Sequence, residues 1–227
     1  MSAFASSLLD IPNGVERWHF VAYDQLNQDL LPTGENAKLG LIFIETSWKA
    51  KQLPYHKQKL VLQLSNQRHF ALEMQKLGHP VRYVFSKEEY SEVLGEIVEE
   101  CGVITVTKPA ELTLRKSISN LVESGKIKVL NHKGWLTTTE DFTSSVGDKP
   151  PWRMDKFYRH IRKSQSILLD EDSKPLGGSW SLDDQNRLPW DNAVELPQMP
   201  SFKPDQITSE VIKMVEHNFS HHPGKSN

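Results

Sequence analysis

The sequence predicts an α/β fold: a parallel five-stranded sheet with helices on both faces, followed by a long extended linker and a C-terminal helix. Three observations carry this. Short apolar runs recur between residues 18 and 130, nearly continuous rather than alternating, as in strands covered on both faces. Segments with apolar residues at helical spacing lie between them. The regular strand, helix, strand rhythm calls for crossover connections and hence a parallel sheet.

Taken in order, Trp18-His-Phe-Val-Ala-Tyr23 is a short β-rich run and Leu39-Gly-Leu-Ile-Phe-Ile44 a second. Between Tyr55 and Leu77, Leu60, Leu64, Ala71 and Met74 fall at helical spacing, and Gly78 with Pro80 just beyond ends that long helix. Val81-Arg-Tyr-Val-Phe85 reads as the next strand. Ser86 with Glu89 three residues later forms a capping box, and Tyr90, Val93, Leu94, Ile97, Val98 and Cys101 mark one face of the helix that follows. Val103 to Thr107 is a strand, Leu114, Ile118, Leu121 and Val122 a helix face ending at Gly125, and Ile127-Lys-Val-Leu130 the last strand. The Rossmann-like α/β unit therefore occupies about residues 15–135.

The remainder differs. The chain breaks from Asp148 to Pro151, and Trp152 to about Leu168 can form a helix. Asp170 to Pro204 carries Pro175, Gly177, Gly178, Pro189, Pro197, Pro200 and Pro204, so residues 136–204 read as a helix plus an extended linker. Such a stretch normally needs another surface to lie against. A final helix from about Asp205 to Phe219 carries Val211, Ile212 and Val215, and residues 205–227 read as the start of a helical domain.

Composition narrows the function. The 227 residues suit one generous domain or one with an appendage, and 27 basic against 29 acidic side chains disfavour a strongly basic nucleic-acid binder. One cysteine, Cys101, cannot make an internal disulfide or supply a four-thiolate zinc or iron–sulfur site. Its place on an apolar helical face reads as a packed thiol. The N-terminus lacks the basic and apolar regions of an export signal, and no apolar run approaches the ~20 residues that span a bilayer. A cytoplasmic location and no membrane partner are expected.

Open α/β sheets bind ligands at the carboxyl ends of their strands. The first strand exits into Asp24-Gln25-Leu26 and the second into Glu45-Thr46-Ser47-Trp48. An acid and an amide beside a carboxylate suit the polar edge of a flat heterocycle and a polyol tail, with Trp48 or Tyr23 as a stacking face. The same Asp24 and Gln25 can instead serve only turn hydrogen bonds and caps. No dinucleotide fingerprint follows the first strand, and neither Gly125-Lys126 nor Gly224-Lys225 has the upstream glycine of a P-loop. Tyr55-His-Lys-Gln-Lys59 at the start of the long helix is either an anion or ligand site, with Lys59 its candidate side chain, or a solvated helix start. Arg153, Lys156, Arg159, Arg162 and Lys163, interleaved with Phe157 and Tyr158, suit a nucleic-acid backbone, an acidic partner or plain solvent, while six Glu between Glu88 and Glu100 would repel phosphates. His217, His221 and His222 read as exposed tail.

The landmarks Asp24-Gln25-Leu26, Glu45, Tyr55-His-Lys-Gln-Lys59, Arg68-His-Phe70, Arg153-Met-Asp-Lys-Phe-Tyr-Arg159, Gly177-Gly-Ser-Trp180, Asp184-Gln-Asn-Arg187 and Pro204-Asp-Gln-Ile-Thr208 occur in an order that strongly resembles the photolyase-related family. Its members are iron–sulfur bacterial cryptochromes and six-four photolyases. The resemblance runs from Arg17 to Gly224 and implies an α/β antenna domain that holds 6,7-dimethyl-8-ribityllumazine, joined by a linker to a helical domain with FAD, the cluster and damaged DNA. It carries the antenna role onto Asp24, Gln25, Leu26 and Glu45, with Trp48 and Lys59 beside them. The family continues well past the segment resembling Phe219 to Gly224, so FAD and the iron–sulfur cluster are expected outside this chain. The sequence is thus expected to be the antenna-chromophore-binding part of a truncated photolyase-related protein that binds DNA only weakly if at all and is not a lyase alone. Its alternatives are one half of a split photolyase needing a separate C-terminal chain, and a degenerate remnant without ligand.

Overall fold

The computed structural model describes residues 2–33, 38–181, 183, 185–189 and 193–226. Of the landmark residues, Asp184 lies outside these. Five strands, β1 (Arg17–Phe20), β2 (Leu39–Thr46), β3 (Val81–Ser86), β4 (Ile104–Thr107) and β5 (Ile127–Leu130), form one sheet in the order β3-β2-β1-β4-β5, and every pairing is parallel. The helices are α1 (Ala3–Ser7), α2 (Trp48–Gln52), α3 (Lys57–Lys76), α4 (Tyr90–Cys101), α5 (Leu112–Ser117), α6 (Ser119–Glu123), α7 (Thr139–Val146), α8 (Met154–Ser164) and α9 (Gln206–Asn218). This is the α/β, Rossmann-like architecture the sequence predicts.

Strand alternation divides the core between two faces. Trp18, Phe20, Ala22, Ile42 and Ile44 point toward Leu94, Ile97 and Ile118, beneath α4, α5 and the turn into α6. Val21, Leu41 and Phe43 join Phe70, Ala71 and Met74 of α3 on the other face, with Phe4 of α1. Covering both faces explains why β2 reads as an unbroken apolar run, and each such side chain contributes roughly 1.5–3 kcal/mol when fully buried. Gly40 is fixed by packing, since a Cβ there would lie 2.6 Å from Cε3 of the Trp18 ring.

A third cluster lies off the sheet. Val211, Val215 and Phe219 from the last helix pack on Leu60 and Val61 of α3 and on Ala50 of α2. His69 Nε2 lies 2.5 Å from Asp205 Oδ2, while Asp205 caps α9 through the Thr208 N–H. Glu210 accepts from the Ala3 N–H at 2.6 Å and so holds α1.

Several local features depart from the sequence reading. The capping box of Ser86 and Glu89 does not form: β3 runs through Ser86, whose hydroxyl accepts from the Glu88 N–H at 3.0 Å, and α4 starts at Tyr90 with Glu89 as its N-cap. The helix expected across Leu114 to Val122 is two short ones that meet at Ile118. The short helices α1, α2 and α7 carry too few apolar positions for a period to show. His222 is not exposed tail; it is buried, and its Nδ1 lies 2.9 Å from the Tyr55 carbonyl. Cys101 is the packed thiol expected, set against the α4 core and 3.3 Å from Arg82 Nη1.

Residues up to Gly134 together with Phe202 onward make one compact unit, and Trp135–Ser201 makes a second. In the second, Thr138 and Asp141 form a capping box on α7. Buried Arg162 organises the rest: its guanidinium donates to the carbonyls of Ile167, Leu168 and Trp180 and lies over the Tyr158 and Trp180 rings.

Candidate functional site

The site begins with the way the chain's last residues cover the start of α3. His56 is the N-cap, its Nδ1 accepting from the Gln58 N–H at 3.2 Å. The Lys57 N–H donates to the Pro223 carbonyl at 2.9 Å, and the buried Lys57 ammonium donates to Glu216 at 2.9 Å. The first-turn backbone donors are engaged within the protein and do not form an open anion cradle, while the Gln58 and Lys59 side chains are exposed. The role of this helix start is to seat α9 and the segment after it over the carboxyl ends of the strands.

Beneath that lid lies a cavity of about 280 Å³. Tyr23 follows β1, Glu45 and Thr46 end β2, Phe85 and Ser86 end β3, and Met214 and Asn218 of α9 close it together with Phe219 just after that helix. Tyr55, Phe85, Tyr90 and Phe219 give it aromatic surface, and Leu60 and Leu64 aliphatic surface. A small pocket of flat apolar walls with a few fixed polar groups suits a planar heterocycle.

Its polar floor is the Glu45 carboxylate. Arg68 donates to it from Nε at 2.8 Å and from Nη2 at 2.6 Å, and the Tyr83 hydroxyl donates at 2.7 Å. Burial, followed by the Glu45 charge, pushes the Tyr83 phenol well above its usual range, so it stays a donor. The fork-on-fork pair neutralises the charge and locks the floor.

One wall is a polar cluster on Tyr23. Its hydroxyl donates to Glu111, the Lys49 ammonium lies 2.8 Å from the same hydroxyl and pairs with Glu111, and Thr113 also donates to Glu111. Burial would raise the Glu111 carboxyl, but bonds from Lys49, Thr113 and Tyr23 outweigh it and hold the group below its usual range. Tyr23 and Tyr90 are both raised, first by burial and then by the Glu111 carboxylate, and both remain neutral phenols. A second cavity of about 200 Å³, lined by Trp48, Glu89, Glu111, Thr113 and Ser117 among others, shares Lys49, Tyr55 and Tyr90 with the first.

The six residues singled out in the sequence are thus divided. Glu45 and Lys59 line the main cavity, and Trp48 lines the second. Asp24, Gln25 and Leu26 line neither. Gln25 spans the point where strand order reverses: its side-chain amide donates to the Thr107 and Lys108 carbonyls at 3.1 Å each, tying the exits of β1 and β4, while its buried Oε1 has no hydrogen-bond partner among the described residues. Asp24 is exposed at its tip, and partial burial, ahead of the Glu111 charge, raises its carboxyl. Leu26 packs with the α3-side core.

A family model described as deoxyribodipyrimidine photo-lyase-related protein matches residues 19–227. The chain belongs to this photolyase-related family. It is also 29% identical over 194 residues to a (6-4) photolyase of Agrobacterium fabrum (strain C58 / ATCC 33970), a match that covers 82% of this chain and 38% of that photolyase. The chain therefore corresponds to under half the length of the relative it matches.

Within this photolyase-related chain the donor set does not fit an iron–sulfur cluster, because Cys101, at the end of α4, is its one cysteine and packs against the core. Among the described residues no group of three or more His, Cys, Asp or Glu is placed to hold a metal ion, and no helix is long and apolar enough to cross a membrane. Sequence reasoning missed Lys49, Gln63, Phe85, Tyr90, Met214 and Phe219 as cavity residues. The one signal was that α3 carries two apolar stripes: Phe70, Ala71 and Met74 serve the sheet, leaving Leu60, Val61 and Leu64 for another partner.

Proposed function

We propose that this chain is the antenna module of a photolyase-related protein, holding a flat chromophore of the 6,7-dimethyl-8-ribityllumazine or flavin type in the cavity beneath α9. The observation that carries this is the cavity itself: aromatic walls on a floor whose carboxylate is paired with Arg68 and hydrogen-bonded by Tyr83. The residues fit a ring with polar edges. Glu45 accepts from a ring or polyol donor, the neutral phenol of Tyr90 donates, and the aromatic walls exclude water from the ring faces. When bound, the chromophore supplies light absorption and excitation-energy transfer. The protein's contribution is a rigid hydrogen-bonded pocket that fixes its orientation; this work asks for no nucleophile or general acid.

Photochemistry in this proposal belongs to a helical, photolyase-like region or separate C-terminal chain that carries FAD and the iron–sulfur cluster and meets the DNA. Leu188, Val194, Leu196 and Met199 of the second unit, each 65–89% exposed, support apolar surface that such a partner covers. Titration of the full chain with ribityllumazine, read by induced circular dichroism in its visible band, tests the antenna reading. Saturable binding that weakens at least tenfold in Gln63→Trp, which fills the cavity from the α3 side, supports it; an unchanged spectrum in the wild-type chain refutes it.

A further inference from the structure

Two of the sequence landmarks, Arg68-His-Phe70 and Pro204-Asp-Gln-Ile-Thr208, meet in the contact between His69 and Asp205. The half-exposed His69 ring does not line the cavity, and it is bound at both nitrogens. Nδ1 lies 2.7 Å from the Ser65 carbonyl on α3, and Nε2 lies 2.5 Å from Asp205 Oδ2. Both partners only accept. A carbonyl has no proton to give, and neither has Asp205: the Thr208 N–H, opposed by burial and helped by the His69 bond, holds its carboxyl at about 2. The geometry is satisfied only when both ring nitrogens carry protons, so His69 here is an imidazolium. Burial favours the neutral ring, but the bonds to Asp205 and to the Ser65 carbonyl outweigh it and raise the His69 pKa.

Asp205 is also the N-cap of α9, its Oδ1 accepting from the Thr208 N–H at 2.8 Å. One carboxylate thus ties the first turn of α9 to α3, just after the chain re-enters its first compact unit at Phe202. Asp205 is the charged group that acts on the ring. Of the others on the elements packed there, Arg68 is committed to Glu45, Lys57 to Glu216, and Glu210 to the Ser2 hydroxyl and the Ala3 N–H, while α1 carries no titratable side chain. Lys59, Glu73, Lys76, Lys203, Lys213 and His217 are exposed, and His69 pairs with none of them.

We propose that His69 and Asp205 form a protonation-dependent latch on the helix that covers the cavity, closed while the imidazole carries both protons and loosened when one leaves. Loss of the Nε2 proton sets a lone pair against the carboxylate; loss of the Nδ1 proton gives up the Ser65 bond instead, and either removes the charge attraction. Because the folded pKa is raised, the contact contributes fully below the unfolded value of about 6.5 and is lost as pH rises through the folded value. Val211 and Val215 pack on α3 whatever the state of that proton, so the loosening is confined to the first turn of α9 and the segment entering it.

The test follows the full chain by NMR between about pH 6 and 9. It reads the His69 ring shifts together with the protection of the Thr208 and Ser209 amides, corrected for intrinsic exchange. His69 is expected to titrate above the ordinary value of about 6.5, and protection to fall roughly two- to fivefold through the same midpoint, the range of a partly exposed pair. His69→Gln should make the protection independent of pH. Asp205→Asn, which can still cap α9 through its side-chain oxygen, should return the His69 midpoint to the ordinary value. A His69 midpoint at or below about 6.5, a midpoint untouched by Asp205→Asn, or a fall in protection that persists in His69→Gln overturns the proposal.

Discussion

Arg68 grips Glu45 through two donors, Nε at 2.8 Å and Nη2 at 2.6 Å, with both side chains less than a tenth exposed. The pair links α3 to the end of β2 and forms the cavity floor. Removing one partner leaves a buried charge unmatched, which costs roughly 3–5 kcal/mol. Arg68→Met is expected to lose stability in that range by urea unfolding. Arg68→Met/Glu45→Leu is expected to recover most of the loss, because the uncompensated charge goes with the second change.

His19 predicts the acid limit of the fold. It is buried in β1, its Nδ1 lies 2.9 Å from Thr105 Oγ1, and burial, followed by the Lys133 charge, lowers its pKa from 6.5 to about 4. The unfolded chain therefore takes up a proton there at a higher pH than the folded one. Stability from this group is fully present above about pH 6.5 and is lost progressively as pH falls toward 4, by about 3 kcal/mol in all. Urea midpoints measured from pH 7 to pH 4 are expected to fall less steeply in His19→Gln than in the wild-type chain.

Gly224 is the hinge pin of the tail that covers α3. It has φ +80, and a Cβ there would lie 1.8 Å from His56 Nε2. His56 cannot turn away freely, because its Nδ1 caps Gln58. Gly224→Ala is expected to cost about 1–3 kcal/mol from backbone strain and the lost cap. It should also speed hydrogen exchange at the Lys57 amide, whose acceptor is Pro223. Unchanged exchange there would show that the tail is not held by this contact.

The sheet was legible chiefly through β2, which is covered on both faces and whose unbroken apolar run says so without reference to anything distant. Helix α4 was legible for the same reason, since its stripe from Tyr90 to Cys101 faces one core. The cavity was not. Glu45 could be named as a residue leaving β2, but its partners Arg68 and Tyr83 are brought in by α3 and β3, and no local pattern pairs a carboxylate with them. The α9 lid was harder still. Val211 and Val215 announce an apolar face, yet which surface it covers depends on the second stripe of α3, far away in the chain. Asp24 and Gln25 were singled out by the rule that ligands sit where strand order reverses. In this protein Gln25 is drawn into tying β1 to β4, and the cavity opens one strand further along, over β2 and β3.

The most direct measurement is a crystal structure of the full chain grown with ribityllumazine. The account predicts the heterocycle beneath α9, in contact with Phe85, Tyr90 and the Glu45 carboxylate. Density for the ring at the Asp24–Gln25 edge instead, or a cavity that stays without it at saturating ligand, would contradict it.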